Sequence, residues 1–158
     1  MAIEIERKFL VNGDAWQAQV ESSVAMIQGY LAETESCSVR VRLAGDAASL
    51  NFKGLTIGAR RTEFEYPVPA EDAEQMLDLY CGTRLIEKTR HYLRFHDRTW
   101  EIDEFSGANT GLVVAEVELD SEEQEFARPE WLGREVTQEP RYYNIRLVEH
   151  PYSEWKNG

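Results

Sequence analysis

The chain has 158 residues, 42% hydrophobic and 29% charged, with 29 acidic side chains against 17 Lys and Arg and a net charge of −12. That length supports one domain, residues 1–158, with a real core. The charge excludes a protein that works by non-specific attraction to nucleic acid or to an anionic membrane.

Residues 3–11 read as a strand with Glu4, Glu6 and Lys8 on one face and Ile3, Ile5, Phe9 and Val11 on the other. Two carboxylates ~7 Å apart on a rigid strand can hold a hard divalent cation. A lysine beside them can hold the anion that such a cation binds. The plainer reading is a half-exposed strand with a solvated charged face. A strand this early leaves no space for a signal peptide, and no run of about 18 apolar residues predicts a membrane span; a cytoplasmic protein is expected. Residues 14–22 form a short helical or turn segment after Asn12-Gly13.

Three strands follow, at 26–31, 36–43 and 49–53, then a loop with Gly58 and a strand at 61–68. Ser38, Arg40 and Arg42 share a face, opposite Val39, Val41 and Leu43. Asn51 and Lys53 oppose Leu50 and Phe52, and Arg61, Glu63 and Glu65 oppose Phe64, Tyr66 and Val68. A helix is expected over 69–80, with Ala73, Met76, Leu77 and Tyr80 on its packed side and Gly82 as its stop. A long strand at 84–96 carries Lys88 and Arg90. It turns at Asp97-Arg98 into 99–105, where Glu101 and Asp103 oppose Trp100 and Ile102. After a Gly-containing loop, the strand at 112–119 presents Glu116 and Glu118 opposite Ala115, Val117 and Leu119. Ser121 is placed to cap a helix over 122–127. A turn at 129–133, a final helix at 142–148 and a loose tail after Pro151 complete the pass.

The charges are segregated by strand: acid on the end strands, base on the middle strands, both on one. Like charges side by side destabilise a sheet, so segregation points to outside partners, a metal for the acids and a polyanion for the bases. A mainly β chain of about eight strands with flanking helices can close into an antiparallel barrel, which removes sheet edges. If the apolar faces pack outward under helices and loops, the charged faces line a hydrated tunnel. Arg61, Glu65, Arg84, Arg94 and Glu101 are read as surface ion pairs. Arg7 is read as lying outside the tunnel, and His91, His96, Tyr30, Tyr142 and Tyr143 as structural. Cys37 and Cys81 have neither metal spacing nor a disulfide framework and are read as reduced and structural.

The chain resembles the CYTH superfamily, the triphosphate tunnel metalloenzymes. Glu4-x-Glu6-x-Lys8 opens it. Gln28-Gly29-Tyr30-Leu31, Arg40-x-Arg42, Lys53-Gly54, Arg61-x-Glu63, Glu87-Lys88-x-Arg90, Asp103-x-Phe105, Glu116-x-Glu118 and Arg141-Tyr142-Tyr143-Asn144 follow in the family's order. The resemblance implies a closed eight-stranded antiparallel barrel forming a charged tunnel. It also implies Mg²⁺- or Mn²⁺-dependent cleavage of triphosphates. On this view Glu4, Glu6, Asp103, Glu116 and Glu118 hold metal. Lys8, Arg40, Arg42, Lys53, Lys88 and Arg90 bind phosphate oxygens, arginine by its fork and lysine as a point charge. Glu63 is a further acid on the basic side, and a carboxylate positions the attacking water. The expected reaction is hydrolysis of inorganic triphosphate to pyrophosphate and phosphate. Thiamine or nucleoside triphosphate hydrolysis, a class IV adenylyl cyclase and a non-catalytic polyphosphate-binding module are the alternatives. The expected partner is a small-molecule triphosphate, with no nucleic acid and no membrane, in a monomer or homodimer.

Overall fold

The computed structural model describes residues 3–155. Its strands are β1 (Ile3–Val11), β2 (Ser22–Glu33), β3 (Cys37–Ala44), β4 (Ala47–Gly54), β5 (Arg60–Pro67), β6 (Leu85–Phe95), β7 (Arg98–Phe105), β8 (Val113–Glu118) and β9 (Leu132–Glu135). The helices are α1 (Ala70–Met76) and α2 (Asn144–Glu149). Sheet neighbours run β5-β4-β3-β2-β6-β7-β8-β1, and β5 pairs back with β1, so eight antiparallel strands close into the expected barrel. β1 closes it with its first half: Ile3, Glu4 and Ile5 lie opposite Thr62, Arg61 and Arg60. Farther along, Phe9 and Val11 turn to β9.

Alternation along the strands puts one large set of apolar side chains outside the barrel wall. Phe9, Trp100, Ile102 and Val117 pack under Trp16 and Trp131. On the tunnel side, Ile86, Phe105 and Val114, which share strand faces with Lys88, Asp103 and Glu116, pack under Tyr142 and Leu147 from the C-terminal segment. Val41 meets Ala73, Leu77 and Cys81. This last contact depends on Gly29, because a Cβ there would stand 2.5 Å from Cys81 Sγ.

Several local expectations are corrected. α1 ends at Met76, and Leu77–Cys81 continue as a wider π turn whose exit is Gly82 at φ 59°. The wider turn buries Leu77 and Cys81 and leaves Tyr80 exposed, not packed. The helix expected over 122–127 does not form: residues 122–123 are a turn and 124–129 are irregular. Glu122 instead accepts the Ala59 amide at 2.8 Å. Phe126 packs edge-on against Phe9 and Trp100. β9 was read as part of a turn; four residues are too short to show alternation. The tail is not loose up to Trp155, whose ring lies 5.1 Å from Tyr142 and 5.0 Å from Tyr152, with the Arg141 guanidinium 4.2 Å from its centre.

Candidate active site

The barrel encloses a cavity of about 240 Å³ whose wall carries seven carboxylates and seven cationic side chains. Counted formally the lining balances, and the formal net charge of −12 belongs to the rest of the molecule. Strand order sorts the charges. β5, β1, β8 and β7 are consecutive and supply Glu63 and Glu65, Glu4 and Glu6, Glu116 and Glu118, and Glu101. β4, β3, β2 and β6 form the other half and supply Lys53, Arg40, Arg42, Lys88 and Arg90. Lys8 and Arg61 are the cations set within the acidic half.

Cross-strand register fixes the contacts. Glu6 lies opposite Glu118, and Lys8 lies opposite Glu116 with its Nζ 3.6 Å from that carboxylate. Glu101 lies opposite Glu116 on the other edge of β8. Lys53, opposite Glu63, reaches Glu63 at 3.1 Å and Glu4 at 3.7 Å. Arg61 reaches Glu4 at 3.5 Å and Glu6 at 3.8 Å. Arg40 is 4% exposed, and its Nε has no hydrogen-bond partner. An unpartnered buried guanidinium nitrogen is costly, and an anion in the cavity would relieve it.

The carboxylates divide in the same way. Burial raises Glu6 to about 8, with Glu116 and Glu4 adding repulsion. Burial raises Glu4 to about 7 against the pull of Lys53, with Glu63 adding to the rise. Burial opposes ionisation of Glu116 too, but Lys8 and Arg90 outweigh it and hold the group at about 2. Glu63 also sits at about 2, where its hydrogen bond from Glu4 and the charge of Lys53 overcome its burial. Burial lowers Lys53 to about 8, and Arg40 lowers it further. Glu4 and Glu6 thus lack enough positive charge to ionise in the usual carboxylate range. Their oxygens, with those of Glu116 and Glu118, suit a hard divalent cation. Among the described residues no three carboxylates converge into a ready cage. Mg²⁺, which takes few protein ligands and keeps its waters, does not need one.

Eleven of the twelve expected site residues face this cavity; Asp103 does not. It lies on the same face of β7 as Glu101 but is 1% exposed, with one oxygen 2.7 Å from Lys88 Nζ and the other 2.7 Å from Arg90 Nε. Both of its oxygens accept from the cations it holds, which gives it a structural part in placing Lys88 and Arg90. Conversely Arg61, Glu65 and Glu101, expected at the surface, line the tunnel. Their parity with Glu63 and Asp103 carried the signal. Tyr30, Tyr143, Thr137 and Asn144 also line it, and Gln28 is fully buried beside Arg42. Arg84 is exposed, as read, and Arg7 pairs with Glu135 outside the tunnel.

The CYTH domain family matches residues 2–152. An inorganic triphosphatase of Acetivibrio thermocellus is 45% identical over 156 residues, covering 99% of each chain. An inorganic triphosphatase of Nitrosomonas europaea is 36% identical over 153 residues, covering 92% of this chain and 96% of the relative. A crystal structure of an inorganic triphosphatase superposes with a TM-score of 0.67 at 35% identity, covering 94% of this chain and 95% of that one.

Proposed function

The chain belongs to the CYTH domain family, and on that premise we propose that it hydrolyses inorganic triphosphate to pyrophosphate and phosphate inside the barrel. The observation that carries this is Arg40, a buried cation with an unpartnered nitrogen, in a basic half-wall that faces an acidic one. Arg40, Arg42, Lys53, Lys88, Arg90 and Lys8 hold the phosphate oxygens. The reaction needs charge neutralisation and an aligned water more than covalent help, and these cations supply the first. Asp103 keeps Lys88 and Arg90 in place, and Glu63 does the same for Lys53. Glu4, Glu6, Glu116 and Glu118 are the residues to hold a divalent cation, Mg²⁺ or Mn²⁺, and to order the attacking water. The bound ion supplies neutralisation of the phosphate oxygens and polarises the scissile bond. The acidic exterior favours a small-molecule substrate over nucleic acid or an anionic membrane. A cytoplasmic monomer or homodimer completes the reading. No helix among the described residues is long and apolar enough to cross a membrane.

The test is phosphate release from inorganic triphosphate after EDTA treatment and gel filtration, with and without added Mg²⁺ or Mn²⁺. Turnover should vanish on chelation and return with the ion. ATP and thiamine triphosphate, compared at equal free metal, should have lower kcat/KM, and chromatography should find no cyclic AMP. Undiminished turnover without metal ends the metal assignment. A preference for an organic triphosphate ends the substrate ranking.

A further inference from the structure

We propose that Asn144 is a positioning residue for the triphosphate, its one side-chain oxygen holding Lys88 directly and Arg42 through Gln28. This rests on the triphosphate reading above. Asn144 opens α2 and reaches the tunnel wall from the C-terminal segment, outside the barrel strands. Its Oδ1 accepts hydrogen bonds from Lys88 Nζ and from Gln28 Nε2, each at 3.0 Å. Gln28 Oε1 in turn accepts from Arg42 Nε at 3.0 Å.

The relay has one possible polarity. Ammonium and guanidinium groups only donate. Lys88 therefore determines which end of the Asn144 amide is oxygen, and Arg42 determines it for Gln28. The amide donor of Gln28 is then the atom that faces Asn144, as observed. Gln28 is fully buried, so water cannot take its place. Arg42 makes no ion pair with a carboxylate among the described residues, whereas Lys88 and Arg90 are both clamped by Asp103. Gln28 is thus the group that aims Arg42, and Asn144 is the group that aims Gln28. Two cations on different strands, β3 and β6, are set by one amide from α2.

The experiment measures kcat and KM for inorganic triphosphate with Mg²⁺, and affinity for inorganic triphosphate in EDTA by calorimetry. The proteins are wild type, Asn144→Ala, Gln28→Met and the double variant, with Tm recorded for each. Asn144→Ala should lower kcat/KM by about 10–100-fold with Tm within a few degrees of wild type. Gln28→Met should cost about 10-fold alone and less than about 3-fold in the Asn144→Ala background, because the relay is already broken there. The same factor in both backgrounds, or an Asn144→Ala enzyme within about 2-fold of wild type, overturns the proposal. Asn144→Ser, whose hydroxyl is too short to reach both donors, substitutes if the alanine variant does not fold. If wild type itself does not turn over, the hydrolase reading falls. The EDTA affinities, expected to follow the same non-additive pattern, then decide the positioning role alone.

Discussion

The ammonium of Lys88 stands 2.7 Å from a carboxylate oxygen of Asp103, and both side chains are 1% exposed. Arg90 shares the same carboxylate through Nε and Nη2 at 2.7 and 2.9 Å. Asp103 is therefore the anion that permits two cations to be buried at the tunnel wall. Asp103→Asn should cost about 3–5 kcal/mol of stability, the usual result of stripping the partner from a buried charge. Its affinity for Mg²⁺, read by calorimetry on the folded variant, should change by less than about 3-fold. A variant as stable as wild type that no longer binds Mg²⁺ would restore the metal-ligand reading.

Arg40 should show the opposite balance. Its Nε is buried without a partner, so the metal-free, substrate-free fold carries an unrelieved cost at this position. Arg40→Met keeps the packing volume and removes that cost. It should leave stability unchanged or raise it by about 1–2 kcal/mol while weakening triphosphate binding by about 10-fold or more. Chemical denaturation and calorimetry measure the two effects. A large loss of stability would mean that Arg40 is a structural cation.

Stability in EDTA should fall as pH rises from about 5 to 8. Glu4 and Glu6 have folded pKa values of about 7 and about 8, raised from 4.5. The folded chain then binds protons that the unfolded chain has released, so their contribution is full below 4.5 and is lost as pH passes 7 and 8. The slope should be on the order of 1 kcal/mol per pH unit. Glu63 and Glu116, held at about 2, act with the opposite sign and only below pH 4.5. Lys53, lowered to about 8, regains stability only above that pH. Urea midpoints across pH 5–8 check this, and a flat or rising profile would refute the crowding of Glu4 and Glu6.

Trp155 straps the C-terminal segment through Tyr142, Tyr152 and Arg141. The Tyr142 carbonyl accepts from Lys8 Nζ at 3.3 Å, so the strap also braces a tunnel cation. Trp155→Ala should lower stability by about 1–3 kcal/mol and kcat/KM by a few-fold. Unchanged values for both would show that the tail only rests on the barrel.

Much of the site was legible because a strand has period two. Once residues 3–11 are extended, Glu4, Glu6 and Lys8 must share a face, and the same holds for Arg40 with Arg42, Lys88 with Arg90, and Glu116 with Glu118. That parity also held for Arg61, Glu65 and Glu101, which were set aside as surface pairs although they shared faces with tunnel residues. Parity says which residues move together. It does not say which strand will stand beside which, or how deep in a wall a side chain sits.

The sequence by itself determined the strand faces and the segregation of acid from base. Tertiary structure decided the rest. Pairing of β5 with β1 makes four acidic strands consecutive, although basic strands separate them in the chain. The register of the β6–β7 hairpin sets Arg90 opposite Asp103, so that one carboxylate clamps two tunnel cations. Asn144 enters the site from beyond the last barrel strand, through a contact with Gln28 that spans 116 residues. Such contacts depend on register and on loop closure between distant segments, and no local periodicity encodes either one.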